Sequence, residues 1–251
     1  MLLDSQRATD YTIRFDRVTA GLFVTLAFAA VARLLRAVTL GGAVAGAIVS
    51  FLLYVAAGPG AFLALVTVFL LAWVTTRIGY ARKQRLGTAE AKSGRRASQV
   101  LANLSIATLA GLFSAVAQFR PLCLLLLAAA LSEAAADTVS SEYGQAMGDS
   151  AILITTGERV PAGTDGGVTQ PGTVAGLFAA AVVAAVCFAT GLISLRQAGV
   201  SAVAAFLGML ADSVLGATLE RRKILNNDAV NFFGTLIAAL LAFALARFIV
   251  R

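Results

Sequence analysis

The sequence predicts an all-α fold, a polytopic integral membrane bundle of about seven or eight transmembrane helices, and three observations predict it. Of 251 residues, 59% are hydrophobic and only 13% charged, with a mean hydropathy of +0.86, far outside the range of soluble globular chains. Apolar runs near the length of about 20 residues needed to cross a bilayer recur along the chain. The cations gather in a few connections instead of spreading over a surface. This composition excludes a soluble enzyme. Cys123 and Cys187 both lie in apolar runs, which argues against a disulfide framework or a cysteine zinc site. Because the chain has no histidine, its chemistry must rest on carboxylates, hydroxyls, amides and cations.

Residues 1–17 read as a polar lead-in, an amphipathic helix lying on the surface, because Asp4, Arg7, Asp10, Arg14, Asp16 and Arg17 interrupt any apolar core of a cleavable signal. Residues 18–251 read as a single transmembrane helical domain with candidate spans at 18–32, 37–57, 60–76, 100–117, 121–136, 173–194, 199–218 and 231–249. The breaks "RLLR" (33–36), "GPG" (58–60), "QFRP" (118–121) and "LRQAG" (195–199) are too brief to separate domains. Three longer polar connections stand apart: residues 77–99, 137–172 and 219–230. With eight spans they share one side with Arg33 and Arg36, and that side collects thirteen of the twenty lysines and arginines. The positive-inside rule places it in the cytoplasm, in a cell (inner) membrane, where nucleotides and soluble phosphates are found.

The first connection carries Arg77, Arg82, Lys83, Arg85, Lys92, Arg95 and Arg96 against a lone Glu90. Such a segment can simply set topology and touch acidic lipid headgroups. Within it, however, "KSGRR" places Lys92, Arg95 and Arg96 at the start of a helix-like run, where backbone N–H groups and flanking cations suit a phosphate.

In the second connection Glu133 and Asp137 are four apart and share a helix face, with Glu142 on a neighbouring one. Like charges so close to lipid repel and lose solvation unless a cation binds them, and Mg²⁺ takes such oxygen ligands. The plainer reading is a helix end sitting in water. The stretch "TTGERVPAGTDGGVTQPGT" (155–173) adds Asp165, Gly166 and Gly167, an ordinary composition for a flexible loop but also one whose backbone can wrap a phosphate or metal closely. "ADTV" at 136–139 recurs as "ADSV" at 211–214, in the next helix running the same way, and sets Asp212 inside an apolar run where an unpaired carboxylate is expensive. The third connection brings Asn227 and Asn231, four apart on the way into the last span, as helix caps or as two amides facing a polar site.

On "GYARKQRLGTAEAKSGRRASQVLAN", "ADTVSSEYG", "LITTGERVPAGTDGGVTQPGT", "ADSVLGATLE" and "NNDAVNFFGT", in that order from about Thr76 onward, the chain resembles the transmembrane protein 19 family, or domain of unknown function 92 family, which includes plant phytyl-phosphate kinase. The resemblance implies a membrane enzyme that moves a phosphoryl group from a nucleoside triphosphate, CTP first, to an isoprenyl monophosphate. Under it, Asp137, Asp165 and Asp212 hold Mg²⁺ or orient its waters, with Glu142 and Glu133 as further ligands. Lys92, Arg95 and Arg96 neutralise nucleotide phosphates, Gly166 and Gly167 offer backbone donors, and Asn227 and Asn231 complete the site. The acceptor's tail enters sideways from membrane lipid, and no nucleic-acid partner is called for. Two other readings stay open at this level: a lipid nucleotidyltransferase, and a cation-coupled transporter or lipid scramblase built on the repeated "AD[ST]V".

Overall fold

The computed structural model describes the backbone of residues 2–249 and the side chains of residues 16–247. Helix forms wherever alanine, leucine and valine run without interruption, and each break has a local cause. α1 (Leu2–Leu34) gives way at Arg36, in the left-handed region with φ 54°. The polar lead-in is thus helical and continuous with the first span, and its side chains before Asp16 lie outside the described residues. Thr39 starts α2 (Leu40–Ala57), its Oγ1 accepting the Gly42 N–H at 3.1 Å. α3 (Pro59–Arg77) opens on a proline, whose missing N–H has no partner to lose at that position. α4 (Tyr80–Leu86) is a short polar helix ahead of α5 (Ala97–Phe113), and a single 3₁₀ turn precedes α6 (Arg120–Met147). α7 (Gln170–Ala189) is capped by Thr169 and α8 (Leu195–Leu215) by a reciprocal Ser194–Gln197 pair. A π turn, Gly216–Glu220, leads to α9 (Asn227–Ile249).

Seven stretches among the described residues are long and apolar enough to cross a membrane: Asp16–Leu34, Leu40–Ala57, Pro59–Arg77, Ala117–Met147, Gln170–Ala189, Leu195–Glu220 and Asn227–Arg247. α5, of 17 residues, is the shorter eighth apolar helix. The chain is an all-α polytopic membrane bundle, as its composition predicts.

α6 is the axis of the bundle. It packs against α3, α5, α7, α8 and α9, and 83% of its spanning window is buried, against 17% for α1 at the periphery. Its alanine-rich centre, with Ala128, Ala129, Ala130, Ala135 and Ala136 all fully buried, lets neighbours approach closely. Ser132 and Ser201 pair hydroxyl to hydroxyl at 3.2 Å between α6 and α8.

The connections 35–39, 78–96, 148–169 and 216–226 gather at one end. Arg95 and Val38 bridge backbone to backbone, the Arg82 guanidinium donates to Gly148 O, and Gly166 lies against Ala217. Two boundaries differ from the sequence reading. α6 continues eleven residues past 136, through Asp137 and Glu142 to Met147, because "TVSSEY" still packs one face on α7 and α3. The 148–169 connection is a small antiparallel sheet, not a bare loop: β1 (Ser150–Leu153) lies between β2 (Arg159–Pro161) and β3 (Gly167–Val168), with Ala151 opposite Val160 and Leu153 opposite Gly167.

Candidate functional site

Two helices that run the same way carry the intramembrane acids to one level. Asp137 on α6 and Asp212 on α8 line the same cavity, close enough for their carboxyls to act on each other electrostatically. Asp165, beside β3, and Glu220, closing the π turn, join them around a cavity of about 160 Å³. Ser140, Ser213 and the cap Thr169 supply hydroxyls to its wall, and Gly166, Gly167 and Asn227 line it as well.

The glycine stretch does more than bend. Gly166 holds φ 74°, and a Cβ there would run into the backbone of Ala217, while a Cβ on Gly216 would meet Gly166 N at 2.9 Å. Only a chain without side chains at both points lets the sheet's loop lie directly on the end of α8. That contact closes the cavity on the loop side.

Among the described residues, three buried side-chain oxygens in and below this cavity have no hydrogen-bond partner: Gln145 Oε1, Asp212 Oδ2 and Glu133 Oε1. The last two converge on α9, where a Cβ at Gly234 would sit 2.6 Å from Glu133 Oε1 and 3.0 Å from Asp212 Oδ2. Buried oxygens are almost always partnered, and a buried carboxylate without a partner costs several kcal/mol, roughly, so the place asks for a cation or a proton. The donor set consists of oxygens alone, which suits Mg²⁺. Among the described residues no group of three or more such side chains is drawn together closely enough to hold a metal unaided. Mg²⁺ usually fills its remaining positions with water and substrate phosphate, so the residues fit.

The other expected residues are spread out. Glu133 is 1% exposed and sits one turn deeper than Asp137. Glu142 does not join the cluster: the ammonium of Lys83, completely buried, donates to it at 2.5 Å, and Thr76 Oγ1 donates to its other oxygen at 3.2 Å. A buried cation needs such a counter-charge, so this carboxylate is committed to holding α4 on α6. Lys92 and Arg95 line a second, apolar cavity of about 350 Å³, while among the described residues no lysine or arginine lines the acidic one. Arg96 caps α5, its N–H donating to Gln99 Oε1 at 2.8 Å, and lines neither cavity. Asn231 likewise stays outside both, whereas Asn227 is in the acidic wall. Glu220, Ser140 and Ser213 were missed by the sequence reading. A signal for Glu220 existed: it follows Asp212 by eight residues, a spacing that returns to the same helix face.

The chain matches the family profile described as integral membrane protein DUF92 over residues 23–239. It is 30% identical over 226 residues to "Protein VTE6, chloroplastic" of Arabidopsis thaliana, covering 87% of this chain and 68% of that one. An uncharacterized membrane protein of Synechocystis is 34% identical over 201 residues, 78% of this chain and 77% of its own. Another, from Methanocaldococcus jannaschii, is 33% identical over 202 residues, covering 80% and 82%. No solved structure matches. With its profile running through nearly every helix of the bundle and its acidic cavity enclosed within those limits, the chain belongs to the DUF92 family of integral membrane proteins.

Proposed function

We propose that the chain is a membrane-embedded phosphotransferase that converts an isoprenyl monophosphate to its diphosphate at the expense of a nucleoside triphosphate, CTP first, with Mg²⁺. The observation that carries this reading is the acidic cavity, where helix-borne Asp137 and Asp212 meet the glycine-rich loop that bears Asp165, directly beside an apolar cavity with a cationic mouth. The cation excess at this end of the bundle favours a cytoplasmic orientation, in the cell (inner) membrane, within reach of soluble nucleotide.

Asp137, Asp212 and Asp165 would hold Mg²⁺, which when bound neutralises triphosphate charge. Phosphoryl transfer depends chiefly on positioning and charge neutralisation, so the chain needs no covalent intermediate. An oxygen of the acceptor monophosphate forms the new bond to the terminal phosphorus, the bond from that phosphorus to the bridging oxygen breaks, and nucleoside diphosphate leaves with the electron pair. The acceptor's second pKa is about 6, so it arrives largely ionised and requires no histidine base. Gly166 and Gly167 bring backbone to the cavity wall and Ser140 offers a hydroxyl donor, while the Ser213 hydroxyl, which donates to Met209 O, offers lone pairs. Arg221, Arg222 and Lys223, exposed and following directly on Glu220, would meet the leaving diphosphate.

Purified protein in detergent with Mg²⁺, labelled CTP and a panel of isoprenyl monophosphates should yield isoprenyl diphosphate and CDP in equal amounts. Pyrophosphate with a nucleotidyl-lipid product would convert the assignment to nucleotidyl transfer. Folded protein that consumes no nucleotide across the panel would replace it with the transport reading.

A further inference from the structure

The larger cavity, of about 350 Å³, lies between α1, α2, α3 and α5 and under the connection that precedes α5. Its depth is apolar, with Phe28, Leu65, Val68, Phe69, Ala72 and Leu104 among its walls. Its mouth is cationic: Arg36, Arg77, Lys92 and Arg95, against Glu90 alone, which stands 3.9 Å from Arg95 Nε. Arg77 lies over the ring of Trp73, 4.1 Å from its centroid, and the buried Trp73 Nε1 is a donor without a partner on the wall of this cavity. Arg36 holds a left-handed backbone (φ 54°), a cost that local structure has to sustain.

Resting on the phosphotransferase reading, we propose that this cavity seats the acceptor, a single-chain isoprenyl phosphate monoester, with its tail between α1, α2, α3 and α5 and its phosphate on Arg95, Lys92, Arg36 and Arg77. These cations therefore serve the lipid phosphate and not the nucleotide. A nucleotide is a poor occupant, because its base and ribose would leave polar edges unpaired against the apolar walls. An amphiphile matches both halves at once: charge-assisted bonds at the mouth and apolar burial below. The position also argues for the acceptor over a bulk lipid. Ala134 of α6 lines this cavity and Asp137, three residues on, lines the acidic one, and Arg95 lies within electrostatic reach of Asp137. A phosphate held by Arg95 would thus lie on the side of the apolar cavity that faces Asp137. Gly46 is part of the wall, and a Cβ there meets no atom within 4 Å, so its open space belongs to the cavity.

Trp73 is the one tryptophan of the chain, so intrinsic fluorescence reports this cavity directly. Titrating the full chain in detergent with phytyl monophosphate, without nucleotide or Mg²⁺, should give a saturable change in Trp73 emission. Arg95→Gln combined with Lys92→Gln should weaken that binding about tenfold or more, while the KM for CTP moves less than about twofold. The Arg95 backbone, which bridges to Ala37 and Thr39, is untouched by the exchange. Gly46→Phe, which fills open space without a backbone clash, should weaken phytyl phosphate binding and shift preference toward shorter isoprenyl phosphates. A rise in the CTP KM with lipid binding intact in the Arg95/Lys92 variant would overturn the proposal. So would displacement of phytyl phosphate by dioleoyl phosphatidic acid at equal affinity, the behaviour of a general lipid site. Saturable Trp73 binding without turnover keeps this assignment and removes the phosphotransferase, whereas turnover without any Trp73 response does the reverse.

Discussion

Ala134 and Asp137, neighbours on the surface of α6, face cavities of opposite character: one apolar with a cationic mouth, the other acidic and lined with hydroxyls and bare backbone. The contrast follows from what closes each. The acidic cavity is walled by α6 and α8 and capped by the β-sheet connection, so Asp137 and Asp212 are carried on the two spans whose windows are most buried, 83% and 44%. The apolar cavity is walled by α5 together with α1, α2 and α3, whose spanning windows are only 17%, 33% and 39% buried within the bundle. On the proposed reading, groups that must hold a fixed geometry would sit on the well-packed axis, and a ligand arriving from lipid would meet the loosely packed rim.

The largest effect expected from this division is chemical. Asp137→Asn and Asp212→Asn keep shape and remove charge, and each should lower phosphoryl transfer about 10³-fold or more, roughly 4 kcal/mol of transition-state stabilisation, with thermal unfolding little changed. Near-normal turnover in either variant would strip the acidic cavity of its special status.

Next comes the Lys83–Glu142 clamp that holds α4 on α6 between the two cavities. Lys83→Met leaves Glu142 without its buried partner and should cost about 3–5 kcal/mol. Adding Glu142→Gln should recover part of that loss in the same unfolding assay, since no charge is then stranded. Equal melting of the single and double variants would mean that the pair is not coupled.

Smaller effects separate the two cavities by a matched pair of glycines. Gly166 (φ 74°) presses on Ala217 beside the acidic cavity, and Gly94 (φ 84°) presses on the backbone of Ala37 and Val38 beside the apolar one. Alanine at either should cost about 1–3 kcal/mol of local strain. Gly166→Ala should then act on turnover at saturating lipid, and Gly94→Ala on the KM for lipid. The opposite assignment of the two defects in steady-state kinetics would reverse the roles given to the cavities.

Smallest of all, cysteines at the exposed positions Gln84, Glu158 and Ile224, in a background lacking Cys123 and Cys187, should change stability by no more than about 0.5 kcal/mol. All three should label from the same face of sealed vesicles. Labelling from opposite faces would separate the connections that the two cavities share.

Much of the bundle was legible from composition and run length, because lipid demands about 20 apolar residues per crossing and backbone hydrogen bonds satisfied within each segment. Asp137 and Asp212 were legible for a related reason: an acid in an apolar run is costly enough to advertise itself. Glu142 carried the same signal and misled, since an ion pair with Lys83 satisfies that cost equally well and the partner is 59 residues away in the chain. Lys92 and Arg95 stood out in the sequence as a cation cluster, but which cavity they line depends on the walls that other helices bring to them.

By itself the sequence determined quantities set by each segment alone: that the chain crosses the membrane repeatedly, where the polar connections fall, and which end of the bundle collects cation charge. Only the tertiary structure decided how those connections are shared between two cavities. It turned Glu142 to Lys83, brought Glu220 beside Asp165, laid Gly166 on Ala217, and set Trp73 beneath Arg77. Crossing a bilayer is a local transfer free energy that each residue contributes nearly independently. A cavity is the space left between packed surfaces, and its walls are chosen by helix contacts that no single segment encodes.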